Sequence, residues 1–188
     1  MSFAVGHSLL AAPAVQARLR PSLGAAYRLV YNVVAAVHLL VVMGVGRLAL
    51  GDLAAFDLPN WMRIAMGVVS LAGVAVLIAG LRGYDLSRFG GVAQLRAARA
   101  GRHLPEDEPL RLDGLHRYVR HPLYLGGMLV LWGLASDPLG LATAAWGSLY
   151  LVVGPWFEER KLLRLYGQAY AEYRAKVPAF LPWRGRAI

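Results

Sequence analysis

A chain of 188 residues is long enough for one domain, and 57% hydrophobic residues with a positive mean hydropathy is more apolar than a soluble fold tolerates. The chain has no cysteine, which excludes disulfides, thiolate metal sites and a cysteine nucleophile, and leaves only His or carboxylate ligands for any metal. A net charge of +9 in so apolar a chain reads as basic loops against anionic lipid headgroups, so membrane lipids rather than nucleic acid are the expected partners.

In chain order, residues 1–17 are apolar but short and contain Pro13, which predicts a partial first span. They show no basic leader and no small-residue cleavage pattern, so a cleavable signal peptide is not expected. Residues 29–46, LVYNVVAAVHLLVVMGVG, are uncharged between Arg28 and Arg47 and match the length of a bilayer core. Residues 64–81, IAMGVVSLAGVAVLIAGL, repeat the pattern between Arg63 and Arg82, with Trp61 placed as an interfacial anchor. Residues 82–120 form the longest polar loop. Its stretch AQLRAARAGRHLPEDEPL starts helix-like and ends in PEDEP, which reads as a solvated turn. Residues 123–136 and 139–157 are apolar and flank Asp137-Pro138, a turn signal, so they predict a helical hairpin.

The expected fold is therefore all-α, a polytopic membrane protein of about five spans forming a single domain over 1–188. Within it, 1–81 holds the N-terminal spans, 82–120 the loop, and 121–188 the hairpin and tail. Cations test the topology. Segment 17–28 carries three Arg, 82–120 eight Arg, and the residues after 157 seven Arg or Lys, while the intervening turns hold few. The positive-inside rule then places the N-terminus outside and the long loop and tail in the cytoplasm. GVGRLA at 44–49 loosely matches a dinucleotide glycine pattern, but it ends a membrane span with no strand before it and is set aside.

The chemistry-bearing stretch is RYVRHPLYLGG, residues 117–127. Pro122 suits the first turn of a helix, whose free N–H groups and dipole favour an anion, and Arg120 and His121 reinforce that preference. Gly126 and Gly127 allow a flat ligand or another helix to approach the backbone. At the far end of the hairpin, Glu158 and Glu159 sit where the helix dipole prefers cations, which implies a cationic partner. An anion site and a cation site at one end of an apolar hairpin suit a zwitterion carrying a flat ring, and S-adenosylmethionine fits that description. Each feature has a plainer reading. The cations could be a juxtamembrane anchor, the Glu pair a solvated helix extension beside Lys161 and Arg164, and the tyrosines an interfacial belt.

From Gly114 to Pro182 the chain resembles the isoprenylcysteine carboxyl methyltransferase and phospholipid methyltransferase superfamily. The resemblance is carried by Arg120, His121, Pro122, Tyr124 and Gly126, then Glu158 and Glu159, then Gly167, Tyr170, Tyr173, Val177 and Pro178. It implies a cofactor, S-adenosylmethionine, enclosed by the hairpin and the folded-back tail at the cytoplasmic face. It also implies a lipophilic or small membrane-permeant acceptor entering from the bilayer. His116 stands where that superfamily usually has Tyr. On this reading Arg120 orients an anionic acceptor, His116 or His121 serves as base for a thiol or amine, and Glu159 meets the cofactor's ammonium or sulfonium. Glu158, His121, Pro122 and Gly126 line the cofactor, with Tyr118, Tyr124, Tyr170 and Tyr173 framing its adenine or sulfonium. The stretch HSLLAAPAVQARLR followed by YRLVYN is similar to NnrU-like membrane proteins and to bacterial membrane thiol methyltransferases, which makes small thiols plausible acceptors. A competing reading, haem binding without methyl transfer, rests on His7 and His38, which fall at one membrane depth by helical rise.

Overall fold

The computed structural model describes residues 2–102, 104 and 109–184, and every described regular element is helical. The helices are α1 (Ser2–Ala11), α2 (Pro13–Leu23), α3 (Tyr27–Leu50), α4 (Asn60–Leu81), α5 (Leu86–Gly90), α6 (Val92–Arg99), α7 (Pro122–Gly133), α8 (Pro138–Tyr166) and α9 (Gln168–Lys176). Single 3₁₀ turns occupy Gly24–Ala26 and Gly114–Arg117. Most of the expected PEDEP turn, 105–108, lies outside the described residues.

Among the described residues, three stretches are long and apolar enough to cross a membrane: Pro13–Leu50, Asn60–Leu81 and Pro138–Tyr166. Two shorter apolar helices, α1 and α7, accompany them, so the chain is a polytopic membrane protein. At 1.5 Å per residue the 12 residues of α7 extend about 18 Å, against a hydrocarbon core of about 30 Å. Residues 1–17 are not one helix. Pro13 cannot donate the N–H that would continue α1, so α1 ends at Ala11 and Pro13 opens α2, which carries Arg18 and Arg20.

The chain divides into two compact units, Met1–Asp52 with Tyr84–Glu108, and Leu53–Gly83 with Pro109–Ile188. Helix α4, grouped in the sequence reading with the N-terminal spans, thus belongs with the hairpin. In the first unit α1 packs on α3, and the buried Tyr27 donates its hydroxyl to the Leu10 carbonyl. Asn32 donates to the carbonyls of Phe89 and Gly90 at 3.1 and 3.2 Å, tying α5 to α3.

In the second unit α4 and α7 pack antiparallel through small residues. A methyl group on Gly73 would lie 2.7 Å from the Val130 nitrogen, and one on Gly126 would lie 2.9 Å from Leu77. Membrane helices gain little from burying apolar surface away from lipid, so backbone-to-backbone approach over glycine is what holds such a pair. Helix α8 starts cleanly because Pro138 occupies its first turn and the Asp137 carboxylate accepts from Gly140 N at 2.7 Å. Across the hairpin, Trp132 donates its indole N–H to Ser148 at 2.9 Å. Gly167, at φ 55°, ends α8 in a conformation that few other residues adopt, and α9 follows directly.

Candidate functional site

Helices α7 and α8 are joined by the short Leu134–Asp137 turn, so the head of α7 and the charged last turns of α8 meet. Arg120, just before α7, donates from Nε to Glu159 Oε1 at 2.7 Å, and its Nη2 lies 2.7 Å from the same oxygen. His121 Nε2 is 2.9 Å from that oxygen as well, with both side chains largely withdrawn from solvent. The cation that the Glu pair requires is therefore supplied by the chain itself. A carboxylate at this position, disfavoured by the helix dipole, is held by the Arg120 guanidinium and the His121 ring, both brought in from the head of α7.

Glu158 faces differently. Its Oε2 accepts the Tyr124 hydroxyl at 2.8 Å and lies 3.7 Å from His121 Nδ1, and its side chain remains 43% exposed against 12% for Glu159. The ring of His121 stacks on Tyr124 with centroids 5.4 Å apart and an interplanar angle of 13°, and Phe180 covers it at 5.9 Å. His121 is thus fixed on several sides.

The tail closes the arrangement through its main chain. Arg120 Nη1 donates to the carbonyls of Val177 and Arg174 at 2.5 and 3.2 Å. The backbone N–H groups of Arg120 and His121 donate to the carbonyls of Pro178 and Ala179 at 2.9 and 3.0 Å. Two of the N–H groups that the sequence offers to an anion at the head of α7 are therefore already satisfied by the tail. Arg174 Nη1 stands 3.8 Å from Glu159 Oε2 and keeps 47% of its side chain exposed. The sequence reading missed Arg174, Phe180 and the carbonyls of 177–179. Nothing in side-chain spacing marks a carbonyl acceptor, although Val177 and Pro178 stood within the matched tail pattern.

The remaining sequence candidates fall around this cluster. His116 lies on the 3₁₀ turn Gly114–Arg117, and its carbonyl accepts the Tyr173 hydroxyl at 2.8 Å. Burial holds the His116 imidazole below its ordinary pKa, only partly offset by the Arg120 backbone, so the ring is neutral at pH 7. Pro122 is fully buried at the first position of α7. Gly126 faces Gly73 and Leu77 of α4, which makes it a helix-packing position. Tyr118 is 40% exposed, while Tyr170 and Tyr173 are buried with Val177 in the small core of the tail. Burial and the negative charge of Glu159 push the Tyr170 phenol well above its ordinary pKa, so it stays protonated.

S-adenosylmethionine presents a carboxylate, an ammonium and a sulfonium, and the donor set here suits it. Glu158 offers an exposed carboxylate to a cationic group, and Arg174 offers an exposed guanidinium to a carboxylate. In the other unit His7 and His38 both flank Phe3, with centroids 5.3 and 5.8 Å from it, and the His7 ring meets the Tyr31 hydroxyl at 2.7 Å. Among the described residues no group of three or more His, Asp or Glu could hold a metal ion.

Sequence comparison gives relatives of consistent description. Methanethiol S-methyltransferase 2 of Bradyrhizobium diazoefficiens is 30% identical over 189 residues, covering 96% of this chain and 69% of that protein. Methanethiol S-methyltransferase 1 of the same organism is 39% identical over 71 residues, covering 37% of this chain and 25% of that protein. Protein-S-isoprenylcysteine O-methyltransferase of Schizosaccharomyces pombe is 34% identical over 83 residues, 41% of this chain and 34% of that protein. The chain thus spans from about a quarter to about two thirds of the length of these relatives. No solved structure matches it. The NnrU protein family model matches residues 1–136, most of the chain, and this match together with the methyltransferase relatives shows that the chain belongs to the NnrU family, within the isoprenylcysteine methyltransferase-like superfamily of membrane methyltransferases.

Proposed function

We propose that this chain is a membrane methyltransferase that uses S-adenosylmethionine to methylate a small or lipophilic thiol at the cytoplasmic edge of the membrane. The observation that carries this reading is the meeting of Arg120 and His121 with Glu159, 39 and 38 residues away, under a tail that adds Arg174 and the Val177 carbonyl. A juxtamembrane anchor needs no such convergence. The thiol preference draws on the relatives described as methanethiol S-methyltransferases.

When bound, the cofactor supplies a methyl group on a sulfonium, open to in-line displacement. Glu158 is the carboxylate left exposed to attract the cationic end of such a ligand, while Tyr124 fixes its rotamer. Arg120 neutralises Glu159 and holds the tail over the site, and Arg174 faces the ligand's carboxylate. His116, neutral at pH 7, accepts the proton that the thiol must lose. The apolar hairpin excludes water, and alignment of sulfur with the methyl carbon supplies most of the acceleration.

The test is methyl transfer by the full chain in detergent or nanodiscs, with short alkanethiols, prenylcysteines and amine lipids offered in parallel. Turnover of a thiol at the highest kcat/KM is expected, and no transfer to any of the three would overturn the reading. The alternative reading, haem bound by His7 and His38, would be supported by a Soret band lost in His38→Ala.

A further inference from the structure

Helix α9 carries two buried tyrosines three residues apart, with ring centroids 5.9 Å from each other. The hydroxyl of Tyr173 donates to the His116 carbonyl. That of Tyr170 is buried and has no hydrogen-bond partner among the described residues, and the residue as a whole is only 1% exposed. A buried polar group left without a partner is unfavourable, and phenylalanine would pack equally well against Val177, Leu162 and Leu163. A hydroxyl kept in so tight a place therefore calls for an acceptor that arrives from elsewhere.

Its surroundings are those of the site. Tyr170 packs with Val177, whose carbonyl accepts from Arg120, and Arg120 pairs with Glu159; burial keeps the phenol protonated, so it is available as a donor. The ring faces are enclosed by the tail core, so the covered hydroxyl is the one atom of the Tyr170 side chain whose bonding is left incomplete. We propose that Tyr170 is a ligand-binding residue whose hydroxyl donates a hydrogen bond to an oxygen of the methyl donor held beside Arg120, Glu158 and Glu159. S-adenosylmethionine has such acceptor oxygens on its carboxylate and its ribose. The inference rests on the proposed function above and specifies one contact within it.

The experiment measures two quantities on the full chain in nanodiscs, the affinity for S-adenosylmethionine by calorimetry and the thermal unfolding midpoint without it. For Tyr170→Phe the expected result is a midpoint equal to or above wild type together with affinity reduced about tenfold, the loss of one hydrogen bond. A purely structural hydroxyl would do the reverse, lowering the midpoint and leaving affinity unchanged. Unchanged affinity, or a variant that fails to fold, overturns the proposal. Tyr173→Phe calibrates the midpoint, because it removes a hydrogen bond made within the fold and should lower it. A wild-type protein that binds no S-adenosylmethionine would remove the proposed function itself, and this contact with it.

Discussion

His7 in the N-terminal unit stacks on Phe3 and meets the Tyr31 hydroxyl, while His121 in the hairpin unit lies between Glu158 and Glu159 and under Phe180. Both regions join a histidine to aromatic rings. The first uses neutral partners: Tyr31 for His7, and for His38 the Ser2 hydroxyl at 3.4 Å. The second gathers two carboxylates, two arginines and a histidine, and ties them to main-chain carbonyls of the tail. Neutral hydrogen bonds between helices suffice to position spans in lipid. Opposite charges withdrawn from solvent carry a desolvation cost that packing alone does not require, which is why their grouping points to chemistry.

The largest effect that would break this contrast is expected for Glu159→Gln. It leaves the Arg120 guanidinium enclosed without its counter-charge, and should cost about 3 kcal/mol of stability, read as a shift in denaturant midpoint at constant m-value. A shift no larger than that of His7→Ala would mean that the two regions are equivalent. Arg120→Lys comes next. Lysine keeps the charge but cannot reach Glu159 and the Val177 and Arg174 carbonyls at once, so kcat/KM should fall at least about tenfold and the tail should become more sensitive to protease. Arg117→Lys is the control, and equal small effects in both variants would return Arg120 to the role of a membrane anchor. Substituting His38 by Ala should change kcat/KM by no more than about twofold, the range of changes that touch no key feature. A larger loss would join the N-terminal cluster to catalysis.

The smallest expected effect is that of pH on His116. Burial lowers its pKa in the folded state, so between the two pKa values the unfolded chain binds more protons than the folded one. The corresponding stability is fully present above the ordinary histidine pKa of about 6.5 and declines as pH falls through it. The thermal midpoint of wild type should therefore drop more steeply between pH 7.5 and 5.5 than that of His116→Gln, as a pair of unfolding series would show.

Much of the fold was legible because bilayer thickness acts on each segment separately. Residues 29–46, 64–81 and 139–157 were uncharged runs of the required length, and each lies within a helix long and apolar enough to cross. The Asp137-Pro138 turn was equally local, and there the expected hairpin forms. The break of α1 at Ala12 was less visible, since Pro13 reads either as a tolerated interruption of a span or as the start of a new helix. The pairing of α4 with α7 was hidden because glycines at 73, 80, 126 and 133 state only that some backbone can come close, not which one does.

By itself the sequence determined the all-helical membrane class and the hairpin, and it singled out Arg120, His121, Glu158 and Glu159 as candidate carriers of chemistry. Hydrophobic length, proline and misplaced charge are properties of a residue and its near neighbours, and can be read without the fold. The tertiary structure alone decided how those residues are paired. It made Arg120 and His121 the partners of Glu159, and left Glu158 and Arg174 the more exposed. It also gave the head of α7 to the carbonyls of 178 and 179, and satisfied the Tyr173 hydroxyl but not that of Tyr170. Hydrogen bonds and ion pairs are directional and act over a few ångströms, so their partners become defined only when segments nearly forty or more residues apart are folded against one another.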